Sequence, residues 1–313
     1  MTTQWAEVDD SLHDERVDVG LSRLFGISRS QAGVLVRSGE ARVNGATCTK
    51  AHKLRVGDVL EVDLPDETEP DLRTPADLDI LYEDDELVVV NKPVGMAAHT
   101  GPGWSGPTVI GALLAAGHRV STSGPPERTG IVHRLDAATT GAMVVAKTEL
   151  AYAKLKNDFR YRRVGKIYHA LVQGYPDPTE GSIDAPIGRH PSRDFKMGVV
   201  YGGKPALTHY RTLEVLPGAT LLEVELETGR THQIRVHMQA IGHPIVGDST
   251  YGADPVLAAS VGMTRQWLHA RNLTFDHPLT RQRVDIEAPY TSDLSSALTA
   301  ARASVSRGPR IEP

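Results

Sequence analysis

Three short stretches of this chain carry polar side chains at positions where a folded core is normally apolar. The first, GIVHRLDAATTGAMVVAKT, runs from Gly130 to Thr148. It reads as a strand from Ile131 to Leu135 ending in Asp136, a loop of small residues, and an apolar strand resuming at Ala142. That puts a carboxylate at the rim of a sheet, backed by a loop too small to bury it. A lone aspartate there is more often a turn residue closing a hairpin. The second stretch, LETGRTHQIRVHMQAIGHPIVGDSTYG, reads as a strand ending at Glu227, a turn at Gly229 and a helix from about Thr231. Arg230 and Arg235 lie on this turn and first helical turn, where one of them can reach a carboxylate on a neighbouring strand. A guanidinium holds such a carboxylate ionised against the cost of burial, as it also does in a purely structural ion pair. In the third stretch, YRRVGKIYHALVQG, Tyr168 lies in a strand just after a basic run. From Lys154 to Lys166 six bases face one acid, Asp158. A core aromatic and a solvated helix face are the plain alternatives.

Other chemistries lack a signature. No phosphate-cradling glycine loop of the G-x-x-x-x-G-K-[ST] or G-x-G-x-x-G type follows a strand, so no nucleotide cofactor is expected. His232 and His237 are five residues apart and diverge by roughly 140° around a helix, which spoils them as a chelating pair. Thirteen histidines with a single cysteine, Cys48, and no tight ligand cluster give no basis for a metal site, and one cysteine allows no disulfide within the chain.

The elements that must position these residues fall into two domains, as 313 residues allow. Residues 14–62 form the first. Val17, Leu21, Leu24 and Phe25 are spaced for a helix that stops at Gly26. A second helix opens with Ser28 and Gln31 as a capping box and closes at Gly39. Asn44-Gly45 then marks a hairpin turn, and a last strand starts near Asp58. Residues 63–79, with three prolines among acids, read as a stiff, self-repelling linker. Residues 80–300 read as one mixed α/β domain on a mainly antiparallel sheet, with residues 301–313 as a C-terminal tail. The expected fold class is therefore α+β.

Charge is distributed along the same boundaries. The net charge is −5, yet residues 63–86 alone hold eleven acids and one base, and residues 1–15 add five acids. The remainder is net basic by ten, which permits a polyanionic partner. The acidic N-terminus does not suit a presequence, and no apolar run approaches the roughly 18 residues that cross a bilayer. A cytoplasmic monomer without membrane association is expected.

Two resemblances sharpen this reading. RLFGISRSQAGVLVRSGEARVNG, with the order of its elements, resembles the RNA-binding domain first described in small-subunit ribosomal protein four. That resemblance makes Arg29, Arg37 and Arg42 the bases expected to meet RNA. VNKPVGMAAHTG, HRLDAATTG, KIYHALVQG, GRTHQIRVHM and GHPIVGDSTYG resemble, in order and spacing, the motifs of RluA/RluD-type pseudouridine synthases. Together the two resemblances span roughly residues 14–290.

The second resemblance implies isomerisation of uridine within RNA: the glycosidic bond breaks, the uracil turns, and it is rejoined through carbon five. No group is transferred from outside, so neither cofactor nor metal is implied. By position, Asp136 is the catalytic aspartate, acting as nucleophile or as base at the ribose. Arg235 is the arginine paired with it, and Tyr168 the tyrosine that packs on the uracil. Arg134 would follow the flipped base into the vacated space, Arg230 would touch phosphate, and Ile234 would pack beneath the site. His133 and Lys92 complete the expected substrate contacts. One departure stands out: the family commonly has a charged or longer pair after the aspartate, often Lys-Asp, where this chain has Ala137-Ala138. The N-terminal module points to large-subunit ribosomal RNA as substrate, with transfer RNA as the alternative. A non-catalytic RNA-binding assembly factor is the competing class, disfavoured because a pure binder needs no carboxylate facing a polyanion.

Overall fold

The computed structural model describes residues 2–27, 29–64, 75–101, 104–191 and 193–303, and the chain divides into two compact units, Met1–Asp71 and Leu72–Pro313. Residues 65–74 of the expected linker, residues 304–313 of the expected tail, the Ser28–Gln31 capping box and the side chain of Arg29 lie outside the described residues.

The first unit contains β1 (Thr2–Glu7), α1 (Val17–Phe25), α2 (Arg29–Ser38), β2 (Ala41–Val43), β3 (Ala46–Thr47) and β4 (Val59–Leu64). Helix α1 stops where Gly26 takes a left-handed φ of 69°, and the β2–β3 hairpin turns through Asn44 and Gly45, both at positive φ. A core of Val17, Leu21, Ala32, Leu35, Leu54, Leu60 and Val62 joins helices to sheet. The unit does not begin at residue 14. Strand β1 pairs antiparallel with β4, from Thr2 opposite Leu64 to Glu7 opposite Val59, and Val8 and Leu12 enter the core. Strand β4 has two edges to satisfy; β2 covers one and β1 the other.

The second unit contains β5 (Asp79–Glu83), β6 (Leu87–Lys92), α3 (Val109–Ala115), β7 (Thr140–Ala146), α4 (Glu149–Arg160), β8 (Gly165–Gln173) and β9 (Glu180–Asp184). The hairpin β10 (Ile187–His190) and β11 (Arg193–Val199) follows, then β12 (Leu207–Leu216), β13 (Ala219–Leu226), α5 (Gln233–Ala240), α6 (Pro255–Ser260), β14 (Leu268–Asp276), β15 (Arg283–Glu287) and α7 (Ser292–Ala303). Nine strands form one sheet in the order β5-β6-β7-β14-β8-β13-β12-β9, with β15 on β14; only the β7–β14 pairing is parallel. Strands β6 and β7 are buried along their whole length, as their apolar runs over residues 87–90 and 142–146 require.

Residues 131–135 are not the expected strand. Only Ile131 bridges Val145, and the next donor on β7, the Val144 N–H, bonds the His133 ring Nε2 at 3.0 Å instead of a backbone carbonyl. The segment therefore peels away from the sheet and carries Asp136 to its rim. Helix α5 starts two residues later than expected, because His232 is left-handed (φ 60°, ψ 22°). Among the described residues no helix is long and apolar enough to cross a membrane.

Candidate active site

An open pocket of about 100 Å³ lies where the 134–139 loop faces the 229–235 turn, and its walls include Arg134, Asp136, Tyr168, Arg230, His232, Ile234 and Arg235. The three motif segments thus converge from a loop, a strand and a helix start that are far apart in sequence.

Asp136 is one-fifth exposed. Its Oδ2 lies 3.6 Å from Arg235 Nη1 and 3.7 Å from His232 Nε2. Arg235 pairs with Asp136 through Nη1 and is shared with a second carboxylate that the sequence did not single out. Its Nε and Nη2 donate to the two oxygens of Asp248 at 2.6 and 2.8 Å, a bidentate grip with Asp248 only 1% exposed. The third nitrogen is what remains for Asp136. Burial works against the Arg235 charge, but the Asp248 bonds outweigh it and hold the guanidinium's pKa above its ordinary value. The Tyr251 ring lies beneath the guanidinium, 4.9 Å away.

Tyr168, on β8, is buried at the pocket wall. Burial first, then the Asp136 charge, raises its hydroxyl pKa, so the phenol stays protonated. Ile234 is buried in the pocket wall, and Arg134 is exposed at it. Arg230 also lines the pocket and donates from Nε to the Pro205 carbonyl at 3.0 Å. A second cleft, about 500 Å³, adjoins the pocket and shares Arg134, Tyr168 and Arg230 with it; Lys156, Arg160, Arg162 and Lys166 add positive charge there. The basic run from Lys154 to Lys166, which begins in α4 and ends in β8, therefore lines a cleft in addition to a solvated helix face.

Three residues expected to contact substrate or RNA have partners within the protein, and of these His133 also lines the second cleft. Lys92 is fully buried and cannot touch a substrate. Its three N–H groups go to the carbonyls of Pro93, Met96 and Ala137 at 2.9, 2.8 and 3.1 Å. Burial lowers its pKa to about 7, against the pull of Asp136. His133 spends its Nε2 on Val144 and stacks on Phe159 with ring centroids 4.5 Å apart. Burial, then Lys166, pushes its pKa down to about 3, so it is a neutral clip. In the first unit Arg42 is ion-paired with Asp63 at 2.5 Å and lies 3.8 Å from Glu61. Arg37 is exposed near the end of α2.

The Ala137-Ala138 departure leaves the loop well held. The Ala137 carbonyl accepts from Lys92 and from the Gly95 N–H at 2.9 Å, and the Ala138 carbonyl accepts from Arg265 at 2.8 Å. Arg265 is itself anchored on Asp293 at 2.7 Å. The opposite wall is equally braced. The Gln233 amide accepts from Thr228 and the Arg230 N–H and donates to Leu207 and Thr208. His237 bridges Thr208 and the Ala185 carbonyl.

Asp248, Tyr251, His232 and Arg265 were not identified as site residues from sequence. The first two lie in GHPIVGDSTYG, where a carboxylate and a tyrosine directly after an apolar run were the available signal; Arg265 had none.

A family model described as RNA pseudouridylate synthase matches residues 86–240, and one described as S4 domain matches residues 15–60. An uncharacterized RNA pseudouridine synthase of Mycobacterium bovis is 54% identical over 294 residues, 93% of this chain and 96% of its own length. A ribosomal large subunit pseudouridine synthase D of Nitrosomonas europaea is 44% identical, covering 94% of this chain and 87% of the relative, and one of Pseudomonas aeruginosa is 41% identical, covering 94% of each. The solved structure of human RNA pseudouridylate synthase domain containing 4 has a TM-score of 0.57 and 27% identity over 72% of this chain and 93% of its own.

Proposed function

The chain belongs to the RNA pseudouridylate synthase family, and from that premise we propose that it isomerises uridines of large-subunit ribosomal RNA, with Asp136 as the carboxylate that acts at the ribose. Pseudouridine synthesis on RNA is the family's activity. The ribosomal substrate is supported by two relatives named for it, both more than 40% identical over nearly the whole chain.

The observation that carries the assignment of Asp136 is its setting: a carboxylate at an open pocket whose Oδ2 has a guanidinium and an imidazole within 4 Å. The reaction breaks the N1–C1′ bond, turns the uracil and rejoins it through C5. The target base must first leave its stack, at a cost of a few kcal/mol. Arg134, exposed at the pocket, is available to fill the gap. Tyr168 packs on the uracil and Ile234 lies beneath it. Arg235, anchored by Asp248, holds its third nitrogen beside the Asp136 carboxylate, and Arg230 with the neighbouring basic cleft receives the flanking phosphates.

Mapping pseudouridines in RNA from a deletion strain, complemented by wild type or Asp136→Asn, tests this. Large-subunit sites that vanish on deletion and return only with wild type are expected. Loss confined to transfer RNA overturns the ribosomal substrate, and restoration by Asp136→Asn overturns the role of Asp136.

A further inference from the structure

His232 is the one residue at the pocket held in a left-handed backbone conformation without being glycine. As N-cap of α5 it would normally be extended, with its side chain bonded to the first turn; it makes no such cap bond. The ring is turned to the pocket instead, with Nε2 3.7 Å from the Asp136 carboxylate. A backbone conformation that costs energy, at a residue facing the reacting group, is where a functional role is worth seeking.

The hydrogen bonds around Tyr251 fix which ring nitrogen carries the proton. Tyr251 is fully buried, so its hydroxyl proton needs an acceptor. Its oxygen already accepts the Met197 N–H at 3.1 Å, and its other hydrogen-bond partner among the described residues is His232 Nδ1 at 2.8 Å. The phenol donates to Nδ1, and a neutral ring then carries its hydrogen on Nε2. Burial keeps the ring neutral, with Arg235 and Arg134 acting in the same direction and Asp136 and Asp248 against it.

We propose that His232 is a further catalytic residue, a neutral Nε2–H donor to a carbonyl oxygen of the uracil as it departs. The inference rests on the reading of Asp136 as the carboxylate acting at the ribose. When N1–C1′ breaks, the bonding pair stays on the uracil, which becomes an anion with its charge shared between N1 and the carbonyl oxygens. A donor already aimed there stabilises that charge without reorganisation. Nε2 keeps its proton throughout; when C5 joins C1′ the anion's electron pair forms the new bond and the ring is neutral again, after which C5 loses a proton and N1 gains one. No oxidant, reductant or further reactant is needed.

The test uses two substitutions that tolerate a left-handed backbone: His232→Gly, which removes the donor, and His232→Asn, which keeps a shorter one. Single-turnover consumption of the target nucleotide is followed at saturating RNA, on an RNA the wild-type chain modifies and on the same RNA with 5-fluorouridine at the target. Fluorine withdraws electrons and makes the uracil anion a better leaving group that needs less help. His232→Gly is expected to slow the uridine reaction about 10²–10³-fold, to slow the fluorinated one at least tenfold less, and to leave RNA affinity within a few-fold. His232→Asn should fall between it and wild type. A wild-type rate for His232→Gly, or an equal slowing on both substrates as a structural role gives, overturns the proposal. Asp136→Asn run alongside separates the two readings: if it is inactive while His232→Gly is fully active, only the donor role fails.

Discussion

Asp248→Asn separates the anchoring of Arg235 from its contact with the reacting carboxylate. The substitution keeps the side-chain shape and an oxygen for the Tyr251 N–H, but removes the charge that Arg235 holds through two bonds of 2.6 and 2.8 Å. Arg235 is 9% exposed and Asp248 1% exposed, so the guanidinium left behind is a buried charge facing a neutral amide. Breaking such a pair from one side costs about 3–5 kcal/mol. For a unit the size of residues 72–313, at about 2–4 °C per kcal/mol, the melting temperature should fall by roughly 6–20 °C. Asp136→Asn removes only a 3.6 Å contact at a partly exposed carboxylate, worth about 0–1 kcal/mol, so its melting temperature should stay within a few degrees of wild type. Asp248→Asn should also slow single-turnover pseudouridine formation, because the released guanidinium turns toward Asp136. Thermal and urea melts of the RNA-free chain are the assay, with Arg235→Met and the Arg235→Met/Asp248→Asn double variant completing a cycle. The double variant should be less destabilised than the sum of the singles. Additive losses, or a larger loss from Asp136→Asn than from Asp248→Asn, refute the reasoning.

Lys92→Met should lower the single-turnover rate tenfold or more while leaving RNA affinity and its salt dependence unchanged, because the ammonium reaches no solvent and holds the Ala137 carbonyl; a smaller salt slope in filter binding would return Lys92 to the RNA interface. Stability should fall as pH drops from about 6.5 toward 4, because the buried His269 has its pKa lowered to about 4, by burial above all, and the unfolded chain takes up that proton first. Its share is about 3 kcal/mol, fully present above pH 6.5. His269→Gln should melt lower at pH 7 yet lose less between pH 7 and 4.5, and an unchanged pH dependence of the melts counts against the assignment.

The sequence made the site's location legible and left its wiring hidden, for identifiable reasons. Asp136, Tyr168, Ile234 and Arg235 line one pocket because short motifs with polar residues at element ends mark where a chain leaves its core. The partner of Arg235 was not legible in the same way. Asp136 and Asp248 are both carboxylates beside glycine-containing turns, and only three-dimensional proximity decides which one takes the bidentate grip. Lys92 shows the converse error, and His133 a second duty beside its place in the wall of the second cleft. Both stand in motifs that line a substrate cleft, yet a lysine beside chain carbonyls and a histidine beside an unpaired strand N–H are recruited as backbone ligands. Strand β1 escaped notice because its pairing with β4 lies more than fifty residues away, beyond any local pattern.

The loop after Asp136 shows why the Ala137-Ala138 departure is compatible with an ordered site. A longer charged pair would place the loop through its side chains, at the cost of ordering their rotamers. Here the placing atoms are backbone carbonyls, which every residue type supplies, and the donors come from outside the loop: Lys92 at the end of β6, the Gly95 N–H, and Arg265 just before β14. Two of those donors are buried cations whose charge lies close to the loop. Neither makes a direct ion pair with Asp136 among the described residues, but Lys92 is near enough for its charge and the carboxylate's to act on one another. The loop is therefore fixed by groups that also bring positive charge near Asp136 at its start, so the same residues supply position and electrostatics. Position then depends on Lys92 and Arg265 rather than on the identity of residues 137 and 138. Substituting either alanine by a small polar residue should leave the carboxylate where it is, whereas removing either cation should not.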